Sequence, residues 1–337
     1  MEEKVPLISI LLAVYEPRLE WLAQQLESLN AQSYPRLRLY VRDDCSPTVP
    51  FAALQALLAA RITAFPYTVA RNERNLGSTA TFERLTGEAE GDYFAYCDQD
   101  DIWLPGKLAL SAAQIGSAGL LCGDVIPIDA QGRRLADSLR ALRPGLVFRE
   151  GAGLGGGLIY KNFVIGCTML VQSRIARAAL PFARSMVHDH YLAWYCAQEN
   201  EIAVASQPLV YYRQHAGNQT GVLTGIVTKE DYLRVHLGGF AARVEELSQR
   251  AESEELRQAA AWARARRDNA ARARGAVRRL WALRRVNVTT TLFELIALRL
   301  PEPLFRRVIR LLAVRSRQKR DKERQKNEAG AGTGGAA

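Results

Sequence analysis

Along the first hundred residues the apolar positions switch repeatedly between two periods. Residues 7 to 14 form an almost unbroken apolar run, the pattern of a strand buried on both faces. Leu22, Leu26 and Leu29 then follow at helical spacing within residues 19–31. The alternation continues with strand-like segments at 37–42, 67–70 and 93–97 and helical segments at 51–60 and 79–86. This regular succession predicts an α/β domain on a largely parallel sheet, in which ligands bind beyond the carboxyl ends of the strands. Two acidic clusters fall at such ends, Asp43 and Asp44 after the second strand and Asp98, Asp100 and Asp101 after the fourth.

Farther along, residues 151–157 are glycine-rich but lack the lysine and hydroxyl residue of a phosphate loop, so a flexible loop is expected. Residues 229–282 are rich in Ala, Glu, Arg and Leu, which predicts long helices. No repeat period emerges.

The chain of 337 residues is 48% apolar, enough for a large core. Its apolar runs fall short of the roughly 18 to 20 residues that span a bilayer. The first apolar run follows two acids and a single lysine, a poor match to a secretory leader, and reads as the first strand. Five widely spaced cysteines without a C-x-x-C pair argue against a disulfide framework or a zinc site, and point to a reducing cytoplasm.

Charge divides the chain unevenly. Residues 1–220 carry 20 Lys and Arg against 22 Asp and Glu, whereas residues 221–337 carry 25 against 13. Within residues 271–320, 14 basic side chains and only 2 acidic ones are interleaved with Trp281, Leu292, Phe293, Ile296, Phe305, Ile309 and Leu312. Such a stretch either lies on the anionic inner face of the cell membrane or packs as an arginine-rich helix on its own catalytic domain. It would also attract nucleic-acid phosphate, but it carries no recognition motif for nucleic acid and leaves the acidic clusters unexplained. The expected organisation is a first domain over 1–225, a helical basic extension over 226–315, and a disordered charged and Gly/Ala-rich tail over 316–337.

Three carboxylates within four residues, directly after an apolar strand, raise the electrostatic cost of ionising all three unless a cation offsets it. Their hard oxygens suit Mg²⁺ or Mn²⁺, and an acidic turn with a helix cap is the alternative. The series Pro6 to Tyr15, Val41 to Ser46, Arg71 to Gly77 and Asp98 to Asp101 resembles, in order and spacing, the nucleotide-sugar half of the family 2 glycosyltransferases. Gly166 to Val171, His188 to Leu192 and Tyr212 to Gln219 look like the acceptor half of its bacterial rhamnosyltransferase-like branch. Cys45 stands where that family commonly has glycine or a small polar residue, and Thr81 where it often has asparagine.

The resemblance covers about residues 5–220 and implies a GT-A fold. It implies an inverting, metal-dependent transfer of a sugar from a nucleotide-sugar donor, dTDP-rhamnose or a UDP-sugar, to a glycan or lipid-linked acceptor in cell-surface polysaccharide synthesis. Asp44 would accept the imide N–H of the base, with Asp43 and Ser46 beside it and Arg71 or Asn75 helping to hold base or diphosphate. Asp98 would face the ribose or sugar, Asp100 would bind Mg²⁺ or Mn²⁺ with Asp98, and His215 would be a third ligand or a diphosphate donor. Asp189 would be the general base, because a sugar hydroxyl is a poor nucleophile at neutral pH. Its place at the start of a helical run equally suits a cap.

Overall fold

The computed structural model describes residues 5–215 and 226–312. These fall into two compact units, one within the residues up to 215 and one from 226 onward. The expected tail over 316–337, together with Asn218 and Gln219, lies outside the described residues.

The first unit is built on a seven-stranded sheet. Its strands are β1 (Ile8–Val14), β2 (Leu37–Asp43), β3 (Tyr67–Arg71), β4 (Tyr93–Cys97), β6 (Leu120–Cys122), β8 (Leu170–Gln172) and β9 (Ile202–Val204), in the order β3-β2-β1-β4-β8-β6-β9. β1, β2, β3 and β4 run parallel, and β8 lies antiparallel to both β4 and β6. Helices Leu19–Asn30, Phe51–Arg61 and Ser78–Glu88 connect the parallel strands. The first four strands and three helices coincide with the apolar periods to within two residues. Ile8, Ile10, Leu12 and Ala95 of the central strands are fully buried, which is why their sequence is continuously apolar rather than alternating.

A second sheet of three short strands, β5 (Ile102–Trp103), β10 (Val210–Arg213) and β7 (Ile126–Ile128), follows the order β5-β10-β7. β10 pairs antiparallel with β5, setting Val210 opposite Trp103 and Tyr211 opposite Ile102. That register carries the residues after β10 to the acidic turn before β5.

The glycine-rich segment departs from the expected loop. Gly151 bridges to Ile202, and Gly155–Leu158 forms a short helical turn. A Cβ at Gly155 would stand 2.6 Å from Gln198 Nε2, so the glycine permits a close approach.

The second unit is helical, with the helices broken more often than the sequence suggests. Lys229–Tyr232 opens on a capping box from Thr228, a wide turn of π type covers Leu233–Gly238, and Gly239–Ser248, Glu254–Ala270, Ala276–Ala282 and Val288–Ala297 follow, with residues 302–312 also helical. Its interior holds a buried ion pair, Arg266 Nη2 to Glu294 Oε1 at 2.6 Å, to which the Tyr232 hydroxyl donates at 2.9 Å. Among the described residues no helix is long and apolar enough to cross a membrane.

Candidate active site

The carboxyl ends of β1, β2 and β4 converge because the three strands are parallel neighbours. At the end of β2 the chain turns sharply through Cys45, whose φ of +62° is left-handed. That conformation favours glycine, so the cysteine here is held in a backbone geometry unfavourable to it. Asp43 Oδ1 accepts from the Ser46 backbone N–H at 3.1 Å and from its hydroxyl at 2.6 Å. Arg71 Nε stands 3.1 Å from Asp43 Oδ2, and Arg71 Nη2 donates to the Ser46 carbonyl at 2.7 Å. The Ser46 hydroxyl also accepts from the Glu16 N–H. Asp43 and Ser46 are therefore buried and bonded to one another, so they brace the turn rather than offer open contacts.

Asp44 is also buried. Its Oδ1 accepts from Asn72 Nδ2 and the Leu76 N–H, and its Oδ2 accepts from the Gly77 N–H, all at 2.8 Å. A carboxylate has about four acceptor positions, so one remains on Oδ2. Asn75 is exposed and its Oδ1 accepts from the Gly77 N–H at 3.1 Å. The residue at the centre of this loop is Asn72, which sequence reasoning does not single out. Its amide donates to Asp44 and Thr81, and its carbonyl oxygen accepts from Arg42 and Arg84.

At the end of β4, Asp98 and Asp100 are half-buried and Asp101 is sealed in the interior. Gln99 clips this turn to the end of β1 by reciprocal bonds to Tyr15, Oε1 accepting from its N–H at 2.8 Å and Nε2 donating to its carbonyl at 3.0 Å. Asp101 Oδ1 accepts from the Arg213 backbone N–H at 3.0 Å. The Arg213 side chain donates to the Asp100 carbonyl at 2.9 Å and to Gln24 Oε1 at 2.7 Å. These bonds tie β10 to the acidic turn and bring His215 Nε2 to 2.5 Å from Asp100 Oδ2. The Trp21 ring lies beside the imidazole, with centroids 5.0 Å apart.

Asp189 lies in the first turn of His188–Cys196. Val187 occupies the cap position, so the cap expected at Asp189 is not its role. The carboxylate is half-buried, and Oδ1 accepts from the His190 N–H at 2.6 Å. A Cβ at Gly166 would stand 3.5 Å from Asp189 Cβ and 3.1 Å from His188 Nε2, so this glycine lets the turn after residue 165 lie close against Asp189. Burial pushes Asp189 up to about 6, opposed by hydrogen bonds from His190, Asn162 and Gly166. His188 is held between Phe82 and Tyr96, with ring centroids at 4.1 and 5.4 Å. Burial lowers it to about 3, so it is neutral.

Asp98 links the two halves of the site. Burial raises its pKa first, and the charges of Asp100 and then Asp189 raise it further. The carboxylates from β4 and from His188–Cys196 thus share one electrostatic environment.

Asp100 and His215, in contact at 2.5 Å, are a carboxylate and an imidazole, donors of a kind that suits Mn²⁺ or Mg²⁺, and Asp98 interacts electrostatically with Asp100. Deeper, Asp98, Asp101 and Cys167 place ligand-type atoms within 4.8 Å of one another. Burial raises the Cys167 thiol well above its usual range, which keeps it protonated and a poor ligand. Asp101 supports the turn, and Trp103, buried beneath the Lys107 ammonium 3.5 Å from its ring centroid, packs its base.

Residues 9–169 match the family described as "Glycosyl transferase family 2". The sequence is similar to the "dTDP-rhamnosyl transferase RfbG" of Shigella flexneri, 24% identical over 231 residues that cover 64% of this chain and 75% of that protein. An "Uncharacterized glycosyltransferase YwdF" of Bacillus subtilis (strain 168) is 32% identical over 118 residues, 35% of this chain and 41% of that one. In structure, the chain is similar to S. aureus TarS 1-349 in complex with UDP-GlcNAc, with a TM-score of 0.55, 18% identity, and 96% and 91% of the two chains covered. It is also similar to the mannosyltransferase PcManGT from Pyrobaculum calidifontis in complex with GDP-Man and Mn²⁺, with a TM-score of 0.53, 15% identity, and coverage of 92% and 87%.

Proposed function

Since residues 9–169 are a glycosyl transferase family 2 domain on a GT-A fold and the chain is a glycosyltransferase, we propose that it inverts the anomeric centre as it moves rhamnose from dTDP-rhamnose to a glycan or lipid-linked acceptor. The transfer would serve cell-surface polysaccharide synthesis at the inner face of the cell membrane. The observation that carries this reading is the shared environment of Asp98, Asp100 and Asp189, which sets a candidate donor-side cluster beside a candidate base.

The Asp44 Oδ2 position left open by Gly77 would accept the imide N–H of thymine or uracil. Arg71 and Asn75, both exposed at the rim of that loop, would meet the base or diphosphate. Asp98, Asp100 and His215 would hold Mg²⁺ or Mn²⁺, whose charge offsets that developing on the leaving diphosphate.

Asp189 would take the proton of the acceptor hydroxyl as that oxygen bonds to the anomeric carbon and the bond to the diphosphate breaks. Raised to about 6, its carboxylate is a stronger base than an ordinary one and is still mostly ionised at neutral pH. Single displacement of this kind inverts the anomeric configuration.

A panel of dTDP-rhamnose, UDP-glucose, UDP-N-acetylglucosamine and GDP-mannose, with Mn²⁺ or with chelator, tests the reading through release of nucleoside diphosphate. The expected result is metal-dependent release from dTDP-rhamnose. Selective release from a UDP-hexose would move the donor assignment while keeping the mechanism, and undiminished release in chelator would refute the role of the cation.

A further inference from the structure

The helix Val288–Ala297 carries apolar side chains on its outer face, besides the buried Ala297 and the half-buried Phe293 that pack inside the unit. Thr291 and Glu294 are fully buried, whereas Val288, Leu292 and Ile296, spaced four residues apart on the opposite side, are exposed, Ile296 by 64%. The polar face is satisfied inside the unit, with Thr291 accepting from Trp262 Nε1 and Glu294 paired with Arg266. An ordinary surface helix turns its apolar side inward. This one buries Thr291, Glu294 and Ala297 and leaves a second, apolar face exposed at Val288, Leu292 and Ile296.

Exposed apolar side chains continue along the neighbouring helices, although these also bury apolar residues, Leu280 in one and Phe305 and Ile309 in the other. Eight of the fifteen large apolar side chains that the described residues leave exposed lie between 277 and 312, among them Val277 and Trp281 one turn apart and Leu304. Such a concentration within one stretch of chain is what an interaction surface would show, whereas singly scattered exposed leucines are ordinary.

Charge identifies what covers it. Arg278, Arg307 and Arg310 are exposed on the same helices, and Arg285 is exposed in the turn between the first two. The two acidic residues between 271 and 312 are both engaged, Glu294 in the buried pair and Glu302 with the Lys229 N–H and Arg306. A second copy would set arginines against arginines. Nucleic acid would satisfy the arginines but leave Leu292 and Ile296 in water.

We infer that Ala276–Ala282, Val288–Ala297 and the helix over 302–312 form one docking surface for an anionic lipid bilayer, with Trp281, Leu292 and Ile296 entering the interface and the arginines meeting headgroup phosphates. This deepens the membrane-face part of the proposed function: it adds the surface and its lipid selectivity, and relies on no catalytic residue.

The test uses the full chain with vesicles of pure phosphatidylcholine and of phosphatidylcholine mixed with phosphatidylglycerol, in low and high salt. The chain should co-sediment with the anionic vesicles alone and be released in part by salt. The double variant Leu292→Ser/Ile296→Ser, altered only at exposed positions, should bind about tenfold or more weakly with an unchanged melting temperature, and its release of nucleoside diphosphate in vesicle-free solution should equal that of the parent. Arg307→Gln/Arg310→Gln should lose much of the salt-sensitive part. Equal binding to neutral vesicles, undiminished binding of the serine variant, or a parent dimer that this variant converts to monomer would each overturn the proposal. Vesicle binding without turnover on any donor would support the surface and count against the transferase reading instead.

Discussion

The Asp100 carboxylate and the His215 imidazole meet at 2.5 Å, Oδ2 to Nε2, although 115 residues separate them. The contact depends on β10 lying antiparallel to β5, so that the residue two beyond Arg213 returns to the acidic turn. Carboxylate and imidazole at this distance form an ion pair if the ring is protonated, and a joint donor set for a cation if it is not.

If the pair binds a cation, Asp100→Ala and His215→Ala should each lower turnover by about a hundredfold or more and raise the Mn²⁺ concentration needed for half-activation. The double variant should be little worse than either single one, because removing one ligand already disables the shared site. Mn²⁺ titrations of the three variants check this, and fully additive losses would separate the two residues.

Asp189 should set the acid limb of the rate profile. A base raised to about 6 by burial loses its function as pH falls through that value, so kcat should decline about tenfold per pH unit below it. Asp189→Asn should lower kcat by about 10² to 10⁴ and leave the donor dissociation constant unaltered. Stability gives an independent reading. A carboxyl group with a folded pKa above its ordinary 3.8 binds its proton more tightly when folded, so it costs stability at neutral pH and that cost fades as pH falls through about 6 toward 4. The asparagine variant should therefore melt higher than the parent near neutral pH, with the gap closing in acid.

Asp44 should show two effects at once. Its three hydrogen bonds hold residues 72–77, and burying donors without acceptors costs about 1–3 kcal/mol each. Asp44→Ala should lower the melting temperature and raise the donor KM, with kcat at saturating donor changing far less, because a base contact is made equally in ground and transition states. A variant with normal stability and a large fall in kcat would place Asp44 at the chemistry instead.

The legible parts of this molecule are those in which the signal is local. Ile8 to Val14 and Tyr93 to Cys97 are strands that nearest-neighbour apolarity reveals, and the acids that follow them stand out because charge directly after a buried strand is costly. Asn72, Gln99 and Arg213 escaped notice because their roles are set by partners 28 to 113 residues away, at Asp44, Tyr15 and Asp100. Spacing alone cannot report such pairs. The antiparallel strand β8 was hidden for the same reason, its partners being β4 and β6. In Val288–Ala297 the apolar period was visible, but not which side faced inward, because that depends on Arg266 and Trp262 meeting Glu294 and Thr291.

Arg213 provides the last prediction, and it separates support from contact. Its guanidinium is buried, donates to the Asp100 carbonyl, Gln24 and the carbonyls of Asp129 and Ala130, and lies 5.0 Å from the Trp21 ring centroid. The acceptor on Asp100 is its backbone carbonyl, not the carboxylate proposed as a ligand, so the arginine's work is to fix the acidic turn and the strand that carries His215. Arg213→Met keeps the bulk and the backbone N–H to Asp101 while deleting the fork, leaving several acceptors without donors at a cost of about 2–4 kcal/mol. Arg213→Lys restores the charge but not the planar fork, so it should recover only part of that loss. Thermal melts of both variants give the stability order parent, lysine, methionine. Mn²⁺ activation measured well below the melting point should be weakened in the same order, because His215 is no longer held against Asp100. A methionine variant with parental stability and parental Mn²⁺ response would show that β5 and β10 position the histidine without the arginine.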